Sequence, residues 1–471
     1  IDPSTIQKKL DANKDPEQRV DIVTILFSDT ARKTALLAIN GVRGERAYGR
    51  VYPGGEALGE LVGYIGPITA EELSKNQGQG YGSNSKIGKT GLEKVYESRL
   101  KGADGVTMYI SKQINGKETD KTILGKTESK NGEDITLAID MDLQQKIYEN
   151  MENDSGACAV VDPKNCEVLA LVSSPSYDSN MFVTYRTKDQ QASAAINDAL
   201  NLNRFSKLYA PGSTFKLVTG AIGLNLGKIN PEEAMSDVKG TEWQGSGVRV
   251  TRVDDTSEPI NLRSAYVYSD NIYFARAALK IGKDDFIKGC GNFGIGEALP
   301  FDFPVVKSQV ANNGINSNQA LADSGYGQGE VILSPLHTAL IYSTLVNNGN
   351  IMTPLVEKVS DKVTSKVWKQ GAVAAQNIKI LQDDLTAAIE DQNGTGHKAQ
   401  IAGVKIAGKT GTAELKKSST DDAEENGWFT AMNTENPKIV VSMVIDNVKK
   451  RGGSHYVVPL VKNVLEYFLK K

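Results

Sequence analysis

Val404-Lys-Ile-Ala-Gly-Lys-Thr-Gly-Thr-Ala-Glu414 admits two readings, and the choice between them decides the fold. With Gly403 in front, the run to Thr410 matches the phosphate-loop pattern G-x4-G-K-[ST] letter for letter. That pattern needs a strand before its first glycine and a helix after its threonine. Upstream, Gln392–His397 is polar and glycine-rich; downstream, Gly411-Thr-Ala-Glu leads into the polar stretch Lys416–Asn426. The strand-like residues fall inside the supposed loop, although Asp446, ending the apolar run Ile439–Ile445, could pass for the acidic metal ligand. A nucleotide-binding loop is therefore the remote alternative. The second reading makes Val404–Glu414 a strand that sets an ammonium (Lys409), a hydroxyl (Thr410) and a small residue (Gly411) along a sheet edge. A carboxylate fits the cation and the hydroxyl, and the glycine lets a substrate backbone approach closely. The similar Lys89-Thr-Gly91 precedes a helix-like segment and is set aside.

Working outward, Trp428–Met432 and Lys438–Asp446 read as strands joined by a tight turn at Asn433–Pro437, and Val457–Leu469 closes the chain as an amphipathic helix. Far upstream, Ile135–Ile139 alternates like a strand. Asp140 or Asp142 caps a helix running to about Glu152, with Leu143, Ile147 and Met151 on one stripe. Gly156–Val161 and Cys166–Val172 read as a hairpin turning at Asp162–Asn165. That register pairs Val161 with Cys166, sets Cys158 opposite Leu169 and leaves the two thiols too far apart for a disulfide. Between about 180 and 400 the pattern is mostly helical: Thr214–Leu226, Asn261–Val267, Ile272–Ile281, Pro335–Asn347 and Asp383–Asp391. Two strands early, three late and helices between predict one antiparallel sheet carrying the first and last helices, with a helical lobe inserted. Residues 1–135 differ. They predict an irregular α+β module with short helices at Thr69–Asn76 and Gly91–Lys101. A polar hairpin, Met108–Ile114 with Thr119–Gly125, turns at Asn115-Gly116.

Composition bounds the function. A chain of 471 residues is too long for one core and predicts two or three domains. A net charge of -3 gives no field for nucleic acid. No apolar run approaches the length needed to span a bilayer. Residue 1 is Ile with no leader behind it, so the chain reads as a processed or truncated product. Three scattered histidines, three cysteines and no CxxC make a zinc site improbable.

Three short motifs carry chemistry. Pro211-Gly-Ser213-Thr-Phe-Lys216 opens a helical run, so Ser213 and Lys216 share a face, and a desolvated neutral lysine can take a serine proton. Ser98-Arg-Leu-Lys101 and Ser236-Asp-Val-Lys239 repeat the spacing, as any solvated helix face can. Tyr268-Ser269-Asp270-Asn271 between two helices reads structurally as an N-cap; functionally, Ser269 relays a proton and Asn271 meets a substrate amide. Lys409-Thr410-Gly411-Thr412 is the third.

In the order Ser-x-x-Lys, Ser-x-Asn, Lys-Thr-Gly, the motifs form a known signature. On it the chain resembles the class B penicillin-binding proteins, peptidoglycan D,D-transpeptidases, and is closest to their low-affinity, resistance-associated Gram-positive branch. Arg50-Val-Tyr-Pro53, Leu61-Val-Gly-Tyr-Ile-Gly-Pro67 and Gly88-Lys-Thr-Gly-Leu-Glu93 resemble the family's dimerisation or pedestal domain. Gly325-Tyr-Gly-Gln-Gly329, Ser334-Pro335 and Asn347-Asn-Gly-Asn350 resemble its transpeptidase domain.

The resemblance implies an α+β, penicilloyl-serine transferase fold: a five-stranded antiparallel sheet flanked by helices plus an all-helical lobe. Residues 1–135 would be the pedestal and 136–471 the transpeptidase domain. It implies that Ser213 attacks a D-alanyl-D-alanine carbonyl, Lys216 is the general base, and Ser269 with Lys409 returns the proton. The N–H groups of Ser213 and Thr412 would form the oxyanion hole, Thr410, Thr412 and Lys409 would hold the terminal carboxylate beside Gly411, and Asn271 would bind the substrate amide. The implied partners are peptidoglycan stem peptides, β-lactam antibiotics and a glycosyltransferase, with no cofactor, metal or nucleic acid. A membrane anchor outside this sequence would hold the protein on the extracytoplasmic face. A serine β-lactamase of the same fold needs a deacylating Glu-x-x-Leu-Asn loop after Ser-x-Asn, and none occurs between 272 and 408. A β-lactam sensor is the other rival, and the extra N-terminal module argues against it.

Overall fold

The computed structural model describes residues 3–471 apart from 16, 116, 153, 256–257 and 415–423. The chain forms two compact units: Ile1–Thr136 with Tyr177–Asn197, and Leu137–Ser176 with Asp198–Lys471. Among the described residues no helix is long and apolar enough to cross a membrane.

The first unit is built from short pieces. Helix Ala70–Lys75 opens on a capping box in which the Thr69 hydroxyl accepts from Glu72 N and the Glu72 carboxylate accepts from Thr69 N. The helix expected over 91–101 is two, Gly91–Val95 and Glu97–Leu100, because Tyr96 leaves the helical conformation at φ -101° and ψ 15°. The polar hairpin forms as Val106–Ile114 against Lys117–Thr127 with two register shifts; Gly116 of its turn lies outside the described residues.

In the second unit, helix α1 (Met141–Asn150) is capped by Asp140, and Leu143, Ile147 and Met151 are fully buried, as their spacing predicts. Strands β1 (Gly156–Val161) and β2 (Val168–Ser174) follow. The helical lobe includes α2 (Lys216–Asn225), α3 (Leu262–Val267), α4 (Asn271–Ile281) and α5 (Ala375–Glu390). Two small ribbons accompany them, Glu242–Gly245 with Val248–Thr251, and Ile351–Met352 with Val367–Lys369. The chain returns as β3 (Ile406–Glu414), β4 (Glu425–Asn433) and β5 (Val440–Ile445), and ends in α6 (Val457–Lys470). The five strands make one antiparallel sheet in the order β3-β4-β5-β1-β2, so β3 is an edge. The buried stripes of α1 and α6 share one core with Cys158, Val160, Phe429, Val441 and Met443, and the wholly buried helix Pro335–Ser343 also packs on the sheet.

Two expectations are corrected. Ile135–Ile139 is not a strand: Leu137 makes one isolated bridge to Glu357, Ala138 N donates to Val356 O, and Asp140 N donates to Leu169 O. Leu137 and Ala138 meet residues 356–357 whereas Asp140 turns to Leu169, so the pairing changes partner before a ladder can form. Cys158 faces Val172 rather than Leu169, because Cys166 turns at φ +54° outside the ladder and the register shifts between Val160 and Val161. All three cysteines are free and buried.

Candidate active site

Ser213 is carried not on the α-helix but on a 3-10 turn, Gly212–Phe215, directly before α2. The turn is pinned from three sides. Gly212 N donates to Gly327 O at 3.0 Å, Tyr342 Oη donates to Thr214 O at 3.0 Å, and Trp428 Nε1 donates to Ala210 O at 2.9 Å. Gly212 has φ +52°, and a Cβ there would stand 2.4 Å from the Thr412 carbonyl oxygen. A Cβ on Gly411 would stand 2.5 Å from Pro211 O. The missing side chain of Gly411 is thus taken up by the Ser213 turn and not, as the sequence suggests, by an approaching substrate backbone. Backbone lies against backbone, with Ser213, partly exposed, next to Thr412 on the sheet edge.

Lys216, the first residue of α2, has 0% exposure. Its Nζ donates to Ser269 O at 2.7 Å, Ser269 Oγ at 3.2 Å and Asn271 Oδ1 at 2.8 Å, which occupies all three ammonium donors. Burial holds this lysine well below its ordinary range; the Lys409 charge pushes the same way and Asp270 opposes. Desolvation of this kind favours the neutral amine, the form in which a lysine can accept a proton.

The structural reading of the Ser269–Asn271 turn holds. Asp270 is the N-cap of α4, accepting from Tyr273 N at 2.8 Å. Ser269, at φ +54°, and Asn271 are thereby turned toward Lys216. Asn271 Nδ2 donates to Thr251 O at 3.2 Å, which fixes which end of the amide faces the lysine.

Lys409 and Thr410 lie inside β3, paired with Thr430 and Phe429 of β4. A phosphate loop wraps its amides around an anion, and a paired strand cannot, so the nucleotide reading fails. Lys409 is also 0% exposed, and burial brings its pKa down to about 7. Its Nζ donates to Thr395 Oγ1 at 3.1 Å and Thr410 Oγ1 at 3.4 Å, while Thr410 Oγ1 donates to Thr395 Oγ1 at 2.8 Å. Thr412 is partly exposed, and its carbonyl accepts from Gln328 Nε2 at 3.2 Å. The Ser213–Lys216 turn, the Ser269–Asn271 turn and the Lys409–Thr412 strand therefore converge. Sequence reasoning misses Thr395 and Gln328. Gln328 sits in the quoted Gly325–Gly329 run, which signalled its importance without a role; Thr395 is flanked by two glycines, the only local sign.

This chain is similar to proteins already described. The model of the penicillin binding protein transpeptidase domain matches residues 156–466, and that of the penicillin-binding protein dimerisation domain matches residues 1–137. Penicillin-binding protein 3 of Bacillus subtilis is 41% identical over 432 residues, covering 90% of this chain and 63% of that protein. Peptidoglycan D,D-transpeptidase MrdA of Acinetobacter baumannii is 28% identical, covering 91% and 67%. The chain thus spans a little under two thirds of the first relative and about two thirds of the second. Among solved structures, Pseudomonas aeruginosa PBP2 in complex with WCK 5153 matches with a TM-score of 0.74 at 25% identity, over 89% of this chain and 90% of that one. The PBP2 chain of a complex with MreC from Helicobacter pylori shares the fold at a TM-score of 0.78 and 23% identity, over 98% and 88%.

Proposed function

The chain belongs to the penicillin-binding proteins with a transpeptidase domain, and from that premise we propose that it is a D,D-transpeptidase that cross-links peptidoglycan stem peptides through a Ser213 acyl-enzyme. Neutral Lys216 takes the Ser213 proton as Oγ attacks the carbonyl between two D-alanines. The N–H groups of Ser213 and Thr412 receive the developing oxyanion. Ser269, with Lys409, returns the proton to the leaving D-alanine amine. Lys409, Thr410 and Thr412 hold the terminal carboxylate, and Asn271 binds the substrate amide. The amine of a second stem peptide then takes the acyl group. A β-lactam acylates the same serine.

The observation that carries this reading is the desolvated Lys216, bonded to Ser269 and Asn271 three residues from Ser213. Residues 1–135 serve as the pedestal, a unit that Tyr177–Asn197 joins, and the rest of 136–471 serves as the catalytic domain. The protein works at the extracytoplasmic face of the cell membrane with a glycosyltransferase partner, as its resemblance to class B members implies. Fluorescent penicillin tests the chemistry: the native chain labels covalently, and Ser213→Ala abolishes labelling with folding intact. Persistent labelling of that variant overturns the assignment.

A further inference from the structure

Arg252 belongs to none of the three motifs. It follows the ribbon Glu242–Gly245 with Val248–Thr251, and its side chain is 3% exposed. Its Nη1 donates to Asp270 Oδ2 at 2.9 Å, where Asp270 is 1% exposed, and its Nε donates to Gly240 O at 2.9 Å. The other Asp270 oxygen caps α4 through Tyr273 N. The preceding residue of the same ribbon, Thr251, gives its carbonyl to Asn271 Nδ2. Thr251, the last residue of the ribbon, and Arg252 just after it thus hold Asn271 and Asp270, two consecutive residues of the turn that faces Lys216.

A buried ion pair is a poor device for stability, since desolvating both charges consumes most of their attraction; its better-attested use is to select one arrangement. We propose that Arg252 is a positioning residue for the proposed transpeptidase reaction: its buried pairing with Asp270, beside the Thr251–Asn271 bond, fixes the Ser269–Asn271 turn and neutralises the carboxylate next to Lys216. The inference rests on Ser213 being the acylated residue and Lys216 its base.

The electrostatic half has a definite sign. The groups around Lys216 are Lys409 on β3, Asp270, Ser269 and Asn271 on the turn, the Phe274 ring on α4 at 5.6 Å from Nζ, and Tyr266 of α3, whose hydroxyl donates to Lys216 O. Lys409 favours the neutral amine and Asp270 favours the ammonium. Arg252 offsets Asp270. Without Arg252 the bare carboxylate favours the ammonium more, and the base is lost at a higher pH. Without the Asp270 charge, the reverse follows.

The test is the second-order rate constant of acylation by fluorescent penicillin across pH. In Arg252→Gln the midpoint of the acidic limb rises by about one pH unit, a tenfold change in proton affinity. In Asp270→Asn, which keeps a cap acceptor, it falls. Arg252→Lys, which restores the charge, returns it toward the native value. If Arg252→Gln does not fold, the double variant Arg252→Gln, Asp270→Asn decides: its midpoint lies above that of Asp270→Asn alone, and equal midpoints overturn the inference. Midpoints unmoved while only the plateau drops, or moved in the same direction in both variants, overturn the inference. Failure of the native chain to label at Ser213 overturns the proposed function beneath it, a separate and distinguishable result.

Discussion

Gly212 and Gly411 are reciprocal. A Cβ on the first would lie 2.4 Å from Thr412 O, and one on the second 2.5 Å from Pro211 O. The two N–H groups assigned to the oxyanion, on Ser213 and Thr412, are each one residue beyond these contacts. Their separation is therefore set by two missing methyl groups. Gly411→Ala must push the edge strand from the nucleophile turn by a good fraction of an ångström. We expect acylation by penicillin to slow about 100-fold, the scale on which small misplacements act. A native rate in Gly411→Ala would show that the donors do not depend on this contact.

Lys216→Arg separates base from charge. Arginine keeps a cation beside Ser269 and Asn271 but cannot deprotonate in a protein. Loss of general-base catalysis corresponds to about 100- to 10,000-fold. Arg and Ala variants should therefore both lose at least 100-fold in acylation rate. An Arg variant within tenfold of native would mean that Lys216 acts only as a charge.

Thr395 accepts from both Lys409 and Thr410. Thr395→Val keeps the shape and removes the hydroxyl, leaving buried donors short of a partner at a cost of about 1–3 kcal/mol. The second-order acylation rate constant should fall about tenfold, and Tm should fall by a few degrees. An unaltered rate would place the Thr395 hydroxyl outside the working site.

What the sequence makes legible here is order and period. The stripe of Leu143, Ile147 and Met151, the strands flanking Asn433–Pro437 and the succession of three motifs are all local patterns. What stays hidden depends on partners far along the chain. Glycine at 411 reads as small, but nothing in its neighbourhood says that Pro211 uses the space. Thr395, Gln328 and Arg252 act through contacts 12 to 84 residues away along the chain, with no spacing to betray them. The Cys158 register is missed because the left-handed Cys166 and a bulge change the count within the hairpin itself.

Water is the next discriminator. A transpeptidase must keep its acyl-enzyme until an amine arrives. Asp270, the carboxylate of the Ser269–Asn271 turn, is committed to its helix cap and to Arg252, so it is not free to activate water. Nitrocefin turnover should stay far below about 1 per second, the low end of ordinary enzyme rates. Turnover at or above that rate would replace the transpeptidase reading with a β-lactamase.

The two buried lysines predict the pH profile. Lys216 must be neutral to take a proton, so activity is lost as pH falls through its depressed pKa, which gives the acidic limb. Lys409 must be charged to hold a carboxylate, and burial sets it at about 7 in the free protein, so kcat/KM should decline as pH rises through about 7. In the proposed complex a substrate carboxylate lies against the Lys409 ammonium, and an opposite charge favours the ionised form. The basic limb of kcat, which reports the complex, should therefore lie at higher pH than that of kcat/KM, which reports the free enzyme. A Lys409→Arg variant cannot lose its proton, so its kcat/KM should lack the basic limb near 7 even if its plateau is lower. Measurement of D-alanine release from a D-alanyl-D-alanine peptide between pH 5 and 10 would check both points. Coincident basic limbs in kcat and kcat/KM, or a limb near 7 that survives in Lys409→Arg, would assign that titration to a group other than Lys409.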